Sequence, residues 1–135
     1  MMRVLLIDGD RFSAQSAAMA CFAEGIAVRL ADTLCEGVRF MVDGPVSLVL
    51  IDAGLMRLSG ADQVRLFETV APGVPVVVVV PADASVDEIV KCQVQGFQVV
   101  AKPFEVRDVL AKVERSGRSP RARPDAAAAV EKLCG

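Results

Sequence analysis

Residues 46–55 read VSLVLIDAGL. Leu48–Ile51 is an unbroken aliphatic run, as a strand covered on both faces requires. It ends on a carboxylate, Asp52, followed by Ala53 and Gly54, which contribute almost no side chain. A charge at the end of a buried strand, with space left beside it, points to a strand end that delivers a functional group to the edge of a sheet.

The same pattern recurs on both sides of this stretch. Arg3–Ile7, Ile26–Leu30, Val76–Val80 and Val99–Ala101 are also short apolar runs and are predicted as strands. Segments with helical spacing lie between them. Val106, Val109, Leu110 and Val113 form an i, i+3, i+4, i+7 stripe, and Leu34, Val38, Met41 and Val42 repeat it, as do Val86, Ile89, Val90 and Val94. Met19, Met41 and the phenylalanines fall at helical spacing and are expected in the core. Thr33-x-x-Glu36 and Ser85-x-x-Glu88 are capping boxes, and Gly25, Gly44 and Gly96 stand where helices should stop. Strands alternating with helices give right-handed βαβ units. The predicted fold class is therefore α/β, a doubly wound (βα)5 sandwich on a five-stranded parallel sheet, over residues 1–116. Residues 117–124, GRSPRARP, read as a linker whose arginines are solvated. Ala126 to Leu133 is expected to form a short tail helix capped by Asp125, so that 117–135 is linker and tail.

Composition narrows the function classes. The 135 residues fit one domain. They are 53% hydrophobic with no Trp or Tyr, so Val, Leu, Ile, Ala and Phe must fill the core. A net charge of −2 argues against direct nucleic-acid binding. His is absent, which excludes His-based triads and most zinc sites. The scattered cysteines Cys21, Cys35, Cys92 and Cys134 form no CxxC pair and are expected to be reduced, as in a cytoplasmic protein. No signal peptide is recognisable, and no apolar run approaches the roughly 18 residues that span a bilayer, so no membrane contact is expected.

In an open parallel sheet every strand ends on one edge, and ligands sit just beyond it. The first strand runs into Asp8-Gly9-Asp10, the third into Asp52 and the fifth into Lys102-Pro103-Phe104. Clustered carboxylates repel one another and favour a hard cation; Mg²⁺ takes one or two carboxylates together with waters and phosphate oxygens. Lys102 would offset the negative charge and hold a phosphate oxygen. The small residues after Asp52 leave room for a phosphoryl group. Asp52 is thus the expected nucleophile, forming an aspartyl phosphate.

These residues resemble the receiver domain of bacterial two-component response regulators, which has the flavodoxin/CheY-like fold, over residues 3 to about 116. The likeness is carried by LLIDGD, by DAGLMRLSG with Gly60 eight residues after Asp52, by the Pro75-Val run and by KPF. It implies that Asp52 accepts a phosphoryl group from a histidine kinase or phosphotransfer protein. It further implies that Lys102 binds the phosphate and that Pro103 follows a cis bond. The implied Mg²⁺ ligands are Asp8, Asp10, Asp52 and the carbonyl of Gly54. A signalling domain with at most slow autodephosphorylation, rather than an enzyme, is expected. So is a partner or homodimer surface made by the fourth helix, fifth strand and fifth helix.

The chain also departs from the family. Gly9 breaks the acidic pair after the first strand, leaving Asp10 to compensate from the next position. The hydroxyl expected after the fourth strand falls on Val80 or Pro81, neither of which donates a side-chain hydrogen bond. The switch aromatic is Val99, Leu55-Met56 replaces the Met-Pro that commonly follows the acceptor, and the turn from Gly96 to Lys102 is one residue short. These changes favour an alternative, a pseudo-receiver that binds partners without phosphorylation. A third reading takes Asp8-x-Asp10 as the start of a haloacid-dehalogenase-type phosphatase. It lacks the later hydroxyl, the late acidic pair and the chain length for a substrate cap.

Overall fold

The computed structural model describes residues 2–56 and 60–116. It contains five parallel strands, β1 (Arg3–Ile7), β2 (Ala27–Ala31), β3 (Leu48–Asp52), β4 (Val76–Val80) and β5 (Gln98–Ala101), in the order β2-β1-β3-β4-β5. Five helices join or follow them: α1 (Arg11–Ala23), α2 (Leu34–Asp43), α3 (Gly60–Val70), α4 (Val86–Val94) and α5 (Val106–Ser116). The doubly wound sandwich is as expected. The linker and tail of 117–135 lie outside the described residues.

Register follows from side-chain alternation. Val4 and Leu6 of β1 pair with Leu48 and Leu50 of β3, while Leu5 and Ile7 pair with Val49 and Ile51. Alternate residues therefore feed two cores. On one face Leu5, Ile7, Val49, Ile51 and Val78 meet Leu34 and Val38 of α2 and Leu66 and Phe67 of α3. On the other, Val4, Leu6, Leu50, Val77 and Val79 meet Ala14 and Cys21 of α1 and Val106 and Val109 of α5. All five valines of β4 are buried, so this strand has no solvent-facing side.

Thr33 and Ser85 are the N-caps of α2 and α4. Thr33 Oγ1 accepts from Glu36 N at 3.1 Å and Ser85 Oγ from Glu88 N at 3.2 Å, each satisfying an otherwise free amide in the first turn. Gly25 and Gly96 follow α1 and α4 with φ of 75° and 95°, a left-handed conformation that a Cβ disfavours.

Several positions are more exposed than their spacing suggests. Val42, Val86, Val90 and Val94 face solvent, as do Phe12, Met19 and Phe22 on α1. In α4 the packed side is Ile89 and Cys92. At roughly 100° per residue the three valines lie a quarter to a half turn round from it. β2 is an edge strand, and Ala27, Arg29 and Leu30 are exposed rather than covered on both faces. Cys21 and Cys92 are free, but Cys35 is disulfide-bonded, against the expectation of four reduced thiols.

Gly37 was not singled out by any pattern, yet it sets how closely α2 approaches the sheet. A Cβ there would lie 2.5 Å from Ile7 Cδ1 and 2.8 Å from Ile7 Cγ1, and Ile7 is fully buried. Ala in mid-helix is favoured over Gly by about 1 kcal/mol, whereas overpacking a core costs about 1–3 kcal/mol. Gly37→Ala is therefore expected to lower stability by about 1 kcal/mol in urea unfolding. Adding Ile7→Val, which deletes the clashing methyl, should make the double variant less destabilised than the sum of the singles.

Candidate functional site

At the carboxyl edge of the sheet the ends of β1, β3 and β5 come together. Asp8 follows β1 and is held by its N–H, which donates to Ala31 O at 3.0 Å. Its side chain is buried, and its Oδ1 accepts from Asp10 N at 2.9 Å. Asp52 closes β3, with its carboxylate partly open to solvent. Lys102 N donates to Val80 O at 2.9 Å, which ties the end of β5 to that of β4. From there Lys102 Nζ reaches Asp8 Oδ2 at 3.4 Å and Asp52 Oδ1 at 3.6 Å. One ammonium is thus shared by two carboxylates more than forty residues apart in the chain. The Lys102-Pro103 bond is cis, and Phe104 packs against the core on the α1 and α5 side.

The question raised by Ala53 and Gly54 has a steric answer. These residues begin a single 3-10 turn, Ala53–Leu55, and a Cβ on Gly54 would lie 3.1 Å from Asp52 Oδ2. That is tighter than ordinary contact, so a side chain at 54 would crowd the Asp52 carboxylate. Gly9 differs. A Cβ there would meet only Asp32 O at 3.5 Å, an ordinary contact, and its φ is not positive. Nothing steric demands glycine at 9; what is missing is a carboxylate.

Asp10, the other carboxylate expected to hold a metal, also serves the backbone. It is the N-cap of α1, its Oδ1 accepting from Phe12 N at 3.1 Å and Ser13 N at 3.4 Å. Among the described residues no group of three carboxylate or thiol side chains is arranged to hold a metal. Asp8 and Asp52 are the carboxylates that Lys102 brings together at the edge. Two hard carboxylates fit Mg²⁺, which is commonly held through one or two of them while keeping several waters.

Val80, the last residue of β4, is fully buried beside this edge, and Val99 lies in the core. Neither offers a polar group. Gln63, in the first turns of α3, is a buried polar residue that the sequence reading passed over. The available signal was its place three and four residues before the core pair Leu66 and Phe67. Cys92 on α4 has its thiol pushed up by burial; Glu88 adds to the rise and Lys91 opposes it. Burial likewise raises Cys21.

The family model of the response regulator receiver domain matches residues 4–114. The transcriptional regulatory protein YkoG of Bacillus subtilis is 26% identical over 115 residues, which cover 85% of this chain and 50% of that protein. A CheY-like receiver domain protein from Methanospirillum hungatei superposes with a TM-score of 0.70 at 26% identity, covering 86% of this chain and 93% of that one. A Burkholderia pseudomallei response regulator, solved with a phosphorylated aspartic acid, calcium ion and citrate, has a TM-score of 0.70 at 24% identity. It covers 82% of this chain and 65% of the other. The receiver domain of Saccharomyces cerevisiae Ssk1, in complex with the histidine phosphotransfer protein Ypd1, gives 0.67 at 22%, covering 86% and 88%. The chain belongs to the response regulator receiver domain family of two-component signalling. It spans about half the length of the curated relatives it matches.

Proposed function

We propose that this receiver domain is a phosphoacceptor. Asp52 takes a phosphoryl group from a phosphohistidine on a histidine kinase or phosphotransfer protein, and the signal passes on through protein contacts. In that transfer a carboxylate oxygen of Asp52 attacks phosphorus as the P–N bond breaks. The electron pair leaves with the imidazole, which takes up a proton, and an acyl phosphate is formed. Mg²⁺, when held by Asp8, Asp52 and the Gly54 carbonyl, supplies positive charge to the phosphoryl oxygens. Lys102 supplies a second positive charge and a donor to the same oxygens. Asp8 holds that ammonium in place beforehand.

The observation that carries this reading is Lys102 Nζ lying within 3.6 Å of both Asp8 and Asp52. The phosphorylated aspartate of the Burkholderia neighbour and the phosphotransfer partner of the yeast one support it by likeness. The exposed Val86, Val90 and Val94 on α4 support the α4–β5–α5 surface as the place where a downstream protein or a second copy binds.

A pseudo-receiver is the second reading. It is favoured by the apolar Val80 and by the engagement of Asp10 as a helix cap. Incubation with acetyl phosphate and Mg²⁺, read by intact mass, separates the two. A phosphoryl adduct mapping to Asp52 is expected. An unmodified chain, beside a control receiver that is modified, would favour the interaction module.

A further inference from the structure

The two carboxylate oxygens of Asp8 have different partners. Oδ2 accepts from Lys102 Nζ at 3.4 Å, and Oδ1 accepts from Asp10 N at 2.9 Å. Asp8 is buried, so losing either donor would leave an oxygen unsatisfied at a cost in free energy. Held at both oxygens, the carboxylate has a fixed orientation. Lys102, resting on it, reaches Asp52 Oδ1 at 3.6 Å. Where the ammonium stands therefore depends on where the Asp10 N–H points.

That N–H is held in turn. Gly9, the residue between, has no side chain with which to anchor the turn. Asp10 is anchored on its far side. Its Oδ1 accepts from Phe12 N at 3.1 Å and Ser13 N at 3.4 Å, and its carbonyl accepts from Ala14 N at 2.9 Å. Ala14 and Cys21 seat α1 in the core beside Val4 and Leu6 of β1. One chain of hydrogen bonds thus runs from the first turn of α1 through Asp10 and Asp8 to Lys102. The cap at its head needs an acceptor oxygen and no charge, since Asn caps a helix about as well as Asp whereas Ala does not.

We propose that Asp10 is a positioning residue. By capping α1 it aims its own N–H at Asp8 and so holds Lys102 beside Asp52. The consequence for phosphoryl transfer rests on Asp52 being the acceptor; the positioning of Asp8 does not.

Three variants separate the cap from its charge and from general stability. Asp10→Asn keeps the cap and removes the charge, and Asp10→Ala removes both. Thr33→Ala removes the corresponding cap from α2, where Thr33 Oγ1 accepts from Glu36 N. With acetyl phosphate and Mg²⁺, Asp10→Ala is expected to take up phosphoryl about tenfold more slowly than the parent, and Asp10→Asn and Thr33→Ala within about twofold of it. Without phosphodonor or Mg²⁺, hydrogen exchange of the amide at position 10, read in ¹H–¹⁵N spectra, should be about tenfold faster in Asp10→Ala and parent-like in Asp10→Asn. Asp10→Asn as impaired as Asp10→Ala would overturn the proposal, because the charge and not the cap would then matter. So would Thr33→Ala slowing uptake as much as Asp10→Ala, which would mark a general loss of stability. Parent-like exchange in Asp10→Ala would overturn it as well. A parent that takes up no phosphoryl would sink Asp52 as acceptor, and the exchange comparison would still decide whether Asp10 positions Asp8.

Discussion

An Asp52→Asn chain is expected to take up phosphoryl from acetyl phosphate more than about a hundredfold more slowly than the parent. Asn keeps the size and shape of Asp but removes the anionic oxygen that attacks phosphorus. The side chain sits at the end of β3 and is partly open to solvent, so the fold should not suffer. Lys102 retains Asp8 as a partner at 3.4 Å, which keeps the ammonium at the edge in the variant. A loss of modification would therefore report on the nucleophile and not on collapse of the site. Intact mass with peptide mapping, beside a far-UV spectrum for folding, makes the comparison. Undiminished modification of Asp52→Asn would mean that another carboxylate is the acceptor, Asp8 and Asp10 being the nearest in sequence to the edge.

Val80→Thr is expected to act in two opposite directions. Val80 ends β4 and lines a cavity that also touches Gly54. Thr has nearly the same shape and adds a hydroxyl at one of the two positions, 80 and 81, on which the family's hydroxyl falls. A hydrogen bond from it to a charged phosphoryl oxygen contributes about 1.5–3 kcal/mol. The aspartyl phosphate should accordingly be retained about ten- to hundredfold better. In the unmodified chain the same hydroxyl is buried among valines and lowers stability by about 1–2 kcal/mol. Adduct half-life should rise while the urea midpoint falls. If the half-life is unchanged and only the midpoint moves, position 80 does not face the phosphoryl group.

What could be read before the fold was known follows from where chemistry and periodicity coincide. Asp8, Asp52 and Lys102 were legible because parallel strands all end on one edge, so three unrelated stretches could be placed together without any contact being known. The cap made by Asp10 was left open, because an aspartate just before a helix serves as a cap, as a ligand or as both. Its Oδ1 is taken by the first amides of α1.

Phe12, Met19 and Phe22 have core-like identities and helical spacing, yet they lie in solvent. Apolar character permits burial without requiring it. The same reasoning covers Val86, Val90 and Val94, whose helix packs through Ile89 and Cys92 alone. Gly37 and Gln63 stayed hidden for a further reason. Each depends on tertiary surroundings, Ile7 for one and the cavity shared with Val80 for the other, that no local pattern encodes.

The most direct test of the shared edge is a crystal structure of the chain with Mg²⁺ and beryllofluoride, a mimic of the phosphoryl group. The account predicts beryllofluoride on Asp52, with Lys102 Nζ bonded to one of its fluorines and Asp8 facing the same Mg²⁺. Beryllofluoride absent from Asp52 at saturating concentration, with Lys102 still bridging the two carboxylates, would contradict it.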